Sequence, residues 1–169
     1  MGVTIHFEGC LREVAAYENV IQAAKVFAAR EGWSWQAINE ARTKLERVRD
    51  EKDWDYVGPT RGMVLYPHQN SEPLRLEFDA SGFVQEYIKT QFAPTSTHIT
   101  VVELLKEIAP QFLNFTVEDE GEYWESGELE TLDRHRDACF RALDEMLAND
   151  PHLRGPVRLS NGRIADLIE

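Results

Sequence analysis

Between Val3 and Gly32 the spacing of apolar residues changes once, and that change restricts what the chain can fold into. Val3, Ile5 and Phe7 alternate with Thr4, His6 and Glu8, the period of a half-buried strand. Gly9 ends that pattern. From Leu11 the apolar positions are Leu11, Val14, Tyr17, Ile21, Ala24 and Ala28, with Val20 and Phe27 beside them. These form one helical stripe, which Gly32 closes. A strand that runs into a helix near residue 10 is a β-α unit and needs further strands to pair with.

The chain supplies them. Gly62–Tyr66, Leu74–Phe78 and Phe83–Phe92 read as strands, and Asp79-Ala80-Ser81-Gly82 is a turn that makes the last two a hairpin. Thr43–Arg49 reads as a charged, exposed strand inside a less legible stretch, residues 33–60. Pro94 breaks the chain before a helix with Ile99, Val102, Leu105 and Ile108 on one face, which Thr95, Ser96 or Thr97 would cap. Phe115 and Val117 mark a short strand. A second amphipathic helix is expected over 128–148, with Leu129, Leu132, Cys139, Phe140, Leu143, Met146 and Leu147 as its stripe. Asn161-Gly162, between two runs that carry apolar residues, predicts a last hairpin. The order β-α-β-β-β-β-α-β-α-β-β predicts an α+β fold. The expectation is one domain over residues 1–169, a mostly antiparallel sheet with about three helices packed on it.

Bulk properties agree. A chain of 169 residues with 43% hydrophobic content can bury a sizeable core without a disulfide or metal staple. Its two cysteines, Cys10 and Cys139, are too few for a disulfide framework. The first residues lack a basic segment followed by an apolar run. No stretch approaches the roughly 18 apolar residues of a membrane span. His6 stands where a myristoylation signal wants Ser or Thr. A cytoplasmic location with free thiols is the expectation, with no membrane partner.

Charge is the most uneven property. Residues 111–150 hold twelve acids against three arginines, and account for nine of the chain's twelve net negative charges. No base lies between Glu118 and Asp133. A patch of this sign repels nucleic acid and anionic membranes and attracts cations or a basic protein surface. Tyr123 and Trp124 sit inside it. They either pin the loop to the core or stand out as interface anchors. The candidate partner-binding residues are therefore Glu118, Glu120, Glu122, Tyr123, Trp124 and Glu125. A plainer account is a solvated loop followed by an acidic first helical turn.

Other candidates are weaker. Cys10 at the strand-helix junction could be a reactive thiol with His6 as its base, or an ordinary small residue. His135 and Cys139 share a helix face, but a structural zinc site wants four ligands. His98 near a helix start could help hold an anion or sit beside a cap. His68 could be an acid or base with no nameable partner. The basic run Arg42, Lys44, Arg47 and Arg49 is neutralised by Glu40, Glu46, Asp50 and Glu51, so it is no nucleic-acid stripe.

Gly-x-Gly-x-x-Gly, Walker A, His-Glu-x-x-His, Gly-x-Ser-x-Gly and Cys-x-x-Cys patterns are all missing, which disfavours the commonly recognised nucleotide, zincin and serine-hydrolase chemistries. No cofactor and no resident metal are expected. Three readings follow. The favoured one is a non-catalytic acidic interaction module, an inhibitor or immunity-like binder of a basic protein. The second is a divalent-metal-assisted hydrolase or lyase using the carboxylates of 118–122 with His68 or His98. The third is a small-ligand domain with a pocket lined by aromatics such as Trp33, Trp35 and Phe92.

Overall fold

Strand β1, Thr4–Leu11, buries Ile5, Phe7 and Leu11 on one side and leaves His6 and Glu8 on the other, as its alternation requires. A computed structural model of the chain describes residues 2–169. Helix α1 follows as Val14–Glu31 and buries Ala16, Val20, Ile21, Ala24, Phe27 and Ala28. Its stripe starts later than the sequence spacing suggests. Leu11 stays in the strand, and Val14 is 88% exposed. Gly32, at φ 71°, ends the helix in the left-handed conformation that glycine adopts without strain.

The stretch 33–60 is mostly strand. β2 runs Ser34–Leu45 and pairs antiparallel with β5, Tyr56–Tyr66. Between them the two-residue strands β3, Val48–Arg49, and β4, Lys52–Asp53, form a small flap. β6, Leu74–Phe78, pairs with β5. Gly62, at φ 149°, permits that pairing, because a Cβ there would lie 1.7 Å from the Leu76 carbonyl oxygen. β7, Phe83–Lys89, pairs with β1, and so does β8, Phe112–Asp119. Phe115 and Val117 thus belong to a strand longer than expected, and the strand from Phe83 stops at Lys89 rather than Phe92.

Two three-stranded antiparallel sheets result, in the orders β2-β5-β6 and β7-β1-β8. The β6–β7 hairpin joins them. Its strands meet at the turn, where Asp79 N–H donates to the Phe83 carbonyl at 3.0 Å, and at the far end, where Glu72 N–H donates to the Lys89 carbonyl at 3.0 Å.

Helix α2, Thr95–Ile108, lies with α1 in the core formed with one face of these strands. It starts without the expected hydroxyl cap. Pro94 is the cap residue, and its carbonyl accepts the Thr97 N–H at 2.9 Å. Phe78, Leu65, Leu76, Leu104, Leu105 and Ile108 are fully buried between sheet and helices, each contributing roughly 1.5–3 kcal/mol through removal from water. After β8 come a one-turn helix α3, Tyr123–Ser126, and the long helix α4, Leu129–Asn149. α4 buries only Leu132 and Cys139, against Val3. The segment closes with hairpin β9–β10, Val157–Arg158 and Ile164–Ala165. Gly162 N–H donates to the Leu159 carbonyl in its turn. The described residues form a single α+β domain with antiparallel sheets and four helices, α3 being one turn. Among them no helix is long and apolar enough to cross a membrane.

The flap is fastened by a buried charge. Arg47 has a side chain only 2% exposed and donates from Nη1 to Asp79 Oδ2 at 3.0 Å. Trp54, Tyr56 and Phe83 surround its guanidinium, with centroids 5.0–5.5 Å away, an arrangement that attracts a cation to aromatic faces. Burial pushes the Asp79 carboxyl up, but hydrogen bonds from Ser81, Phe83 N–H and Arg47 hold it below the ordinary carboxylate value. Gln85 grips the Val48 backbone from both sides, at 3.0 and 2.9 Å.

Candidate functional site

The alternation that turns Ile5 and Phe7 toward the core turns His6 and Glu8 away from it. Register then extends this polar row across the sheet. His6 lies opposite Tyr87 on β7 and Glu118 on β8, while Glu8 lies opposite Gln85 and Thr116. All six line one cleft of about 1220 Å³. Arg75 and Glu77 of β6, residues 43–46 of β2 and the turn after it, Val48 of the flap and Arg163 of the last hairpin complete its walls. This volume exceeds the roughly 300–1,000 Å³ typical of small-molecule pockets.

The cations in this cleft are already engaged. Lys44 pairs with Asp55 at 3.3 Å and Arg75 with Glu77 at 3.5 Å. Arg163 reaches Glu72 at 3.3 Å and Glu86 at 2.9 Å. Glu77 also accepts from the Thr60 hydroxyl at 3.1 Å. Glu8, Glu46 and Glu118 line the same cleft and form no ion pair among the described residues. Burial raises Glu86 above the ordinary carboxylate value, although Arg163 draws it down. Arg163 is itself held above its ordinary value, because the neighbouring carboxylates outweigh its burial.

The acidic loop is organised by one inward carboxylate. Asp119 ends β8 with its side chain fully buried. Its Oδ1 accepts the Gly121 N–H at 2.8 Å and its Oδ2 the Trp124 N–H at 2.9 Å. His98 Nε2 lies 3.0 Å from Oδ2, and His98 Nδ1 lies 2.6 Å from the Thr90 hydroxyl. Burial would raise the Asp119 carboxyl, but His98 and the two backbone N–H groups bring it below the ordinary value. His98 is therefore a buried strut between Thr90 and Asp119, not an exposed residue beside a helix cap. Thr90, His98 and Asp119 are in a row but closed to solvent, at 2%, 2% and 5% exposure, so no substrate reaches them.

The six sequence-selected residues separate in space. Glu118 is exposed on the cleft wall. Glu120 turns back to accept the Thr4 N–H at 3.0 Å and lies 3.8 Å from His6. Glu122 hydrogen-bonds His135. Tyr123 and Trp124 are half-buried against the core, with Trp124 against Phe115 and under Lys106. Glu125 points to solvent. Among the described residues no three His, Cys, Asp or Glu side chains come close enough to hold a metal ion, so the carboxylates of 118–122 do not form a ligand set with His68 or His98. His68 instead accepts the Asn70 N–H in its own loop at 3.0 Å. Trp33, Trp35 and Phe92 do not share a pocket: Trp33 packs on Phe27, Trp35 lies beneath Lys25, and Phe92 packs on Phe140. Cys10 is half-buried with its thiol 3.6 Å from the Ser81 carbonyl, and burial raises the Cys139 thiol.

Sequence reasoning missed Glu8, Glu46, Glu77, Glu86 and Arg163. The alternation of β1 could have put Glu8 on the face opposite the core. Nothing local could have brought Arg163 to Glu72 and Glu86, which lie 91 and 77 positions away. The chain matches no protein-family model, no curated protein and no solved structure.

Proposed function

We propose that the protein is a non-catalytic binding module that takes a basic segment of another protein into the cleft. One observation carries this reading. The cleft's two arginines pair with the buried or nearly buried Glu72, Glu77 and Glu86, and Lys44 pairs with Asp55 at the surface, while Glu8, Glu46 and Glu118 have no such partner. The residual field is negative, and a cationic chain is its complement. Glu118 joins this field to the acidic loop, whose exposed carboxylates Glu120, Glu122 and Glu125 would draw a basic partner in and disfavour nucleic acid. An inhibitor or immunity-like role toward a basic protein, in the cytoplasm, is the form this reading takes. No resident metal or cofactor is needed for it.

The test is a paired affinity capture from host lysate, with the wild-type chain and an E8K/E118K variant at low and moderate salt, read by mass spectrometry. Basic proteins held by the wild type, lost as salt rises and lost with the variant are the expected result. Recovery of the same proteins by both forms overturns the reading.

A further inference from the structure

One end of the cleft holds an arginine in a manner that lysine could not reproduce. Arg163 Nη1 donates to Glu72 Oε2 at 3.3 Å and to the Tyr87 carbonyl at 2.7 Å, while Nη2 donates to Glu86 Oε2 at 2.9 Å. Its guanidinium stacks on the Tyr87 ring, 3.8 Å from the centroid. A planar fork between two carboxylates and over an aromatic face is recognition of a guanidinium, not of a point charge. The pocket belongs to β7 and the segment leading into β6. Its occupant comes from β9–β10.

The pocket is also held independently of Arg163. Glu72 is 2% exposed, and its Oε2 accepts the Lys89 N–H at 2.9 Å. The segment that delivers Arg163 is attached through polar groups. Glu72 Oε1 accepts the Ile164 N–H at 2.9 Å. Lys89 binds the Ile164 carbonyl at 2.9 Å and Asp166 at 2.7 Å, and Gln91 reaches Asp166 at 3.1 Å. Ile164 is the one buried apolar side chain among residues 151–169. Each contact of this kind has a counterpart that water or another chain's backbone can supply, so the net cost of each exchange is smaller than the contact itself.

We propose that this end of the cleft is a guanidinium site, that Arg163 is its resident occupant, and that an arginine of the basic partner displaces Arg163 together with the hairpin that carries it. The proposal rests on the cleft being the receptor for a basic partner, and names arginine as the residue it selects. Once the incoming guanidinium is seated, Glu72 and Glu86 are paired again, so the bound state does not carry the cost of two buried carboxylates without a cation; the Ile164 N–H on Glu72 is given up with the hairpin. The partner's flanking residues would meet Glu8 and Glu118 along the same cleft. The tethered Arg163 competes with the incoming arginine, so the apparent affinity falls in proportion to the fraction of molecules with the site open.

The experiment is a calorimetric titration of the full chain and of R163A with a short Gly-Arg repeat peptide and its Gly-Lys counterpart. Amide hydrogen exchange of the wild type, free and peptide-saturated, accompanies it. The expected results are a gain of about tenfold or more in Gly-Arg affinity for R163A, a smaller gain for Gly-Lys, and faster exchange at Ile164 and Ile168 in the Gly-Arg-saturated wild type. Should R163A fail to fold, R163K keeps the charge without the fork and is expected to show an intermediate gain. Equal affinities for wild type and variant, or unchanged exchange in the saturated wild type, overturn the proposal. If the wild type binds both peptides alike through Glu8 and Glu118, with residues 157–168 undisturbed, the guanidinium site falls and the cleft reading stands. If no form binds either peptide, both fall.

Discussion

The acidic loop and the cleft share Glu118 and otherwise differ in how their charge is arranged. In the loop, acids are adjacent along the chain. The buried one, Asp119, is satisfied by His98 and two backbone N–H groups. In the cleft, charge arrives from separate strands, the flap and the last hairpin, and the balance is struck side chain by side chain until three carboxylates are left over. Density of charge along a chain therefore says little about where charge is unspent in space. The loop's most central carboxylate is structural. The cleft's unpaired ones are scattered through the sequence.

Asp119→Ala should break the contrast most severely. It leaves His98 and two N–H groups buried without their acceptor, a loss of about 3–5 kcal/mol. Urea unfolding measures it, and a loss below about 1 kcal/mol would remove Asp119 as the loop's anchor.

Acid titration should sharpen the comparison next, because the two regions carry shifts of opposite sign. Asp119 is held below its ordinary value. Its stabilisation is complete above the unfolded carboxylate value, about 4, and is lost as pH falls through the lower folded one. Glu86 is held above its ordinary value. Its contribution is complete below the unfolded value, about 4.3, and is lost as pH rises through the higher folded one. Unfolding followed across acidic pH should therefore show a shallower loss on acidification for D119N and a steeper one for E86Q. Parallel curves for all three proteins would show that neither group governs the slope.

Glu8→Gln with Glu118→Gln should change stability by no more than about 0.5 kcal/mol and weaken binding of the Gly-Arg peptide severalfold. Calorimetry separates these effects, and unchanged affinity counts against the cleft. The smallest effect belongs to Glu125→Gln with Glu130→Gln, exposed residues of α3 and of the first turn of α4. Stability should stay within about 0.5 kcal/mol, and only the salt-dependent association rate should fall, as stopped-flow mixing would show.

Elements with strong periodicity were legible from sequence alone: β1, most of α1, β6, α2, α4 and the β6–β7 turn all follow from apolar spacing and turn residues. β2 was not, because an edge strand with one buried residue, Ile38, has no alternation to read. The length of β8 was hidden for a similar reason: residues 113–118 are exposed or half-buried, and the strand is held by pairing with β1 rather than by its own pattern. Of the site, Glu118 was legible as part of a charge run. Asp119 stood in that run with nothing to mark it as buried, since its partner His98 lies 21 positions earlier. Arg163 was read only as part of a turn.

The position of β1 between β7 and β8 also bears on synthesis. β1 leaves the ribosome well before its neighbours, residues 83–89 and then 112–119, emerge. At typical translation rates that wait is on the order of ten seconds. During it β1 has no paired strand, whereas the β2-β5-β6 sheet, complete by residue 78, is already there for α1 to pack on. A nascent chain stalled before residue 112 would leave the β8 edge of β1 open to chaperones, whereas one released after residue 119 could pair it.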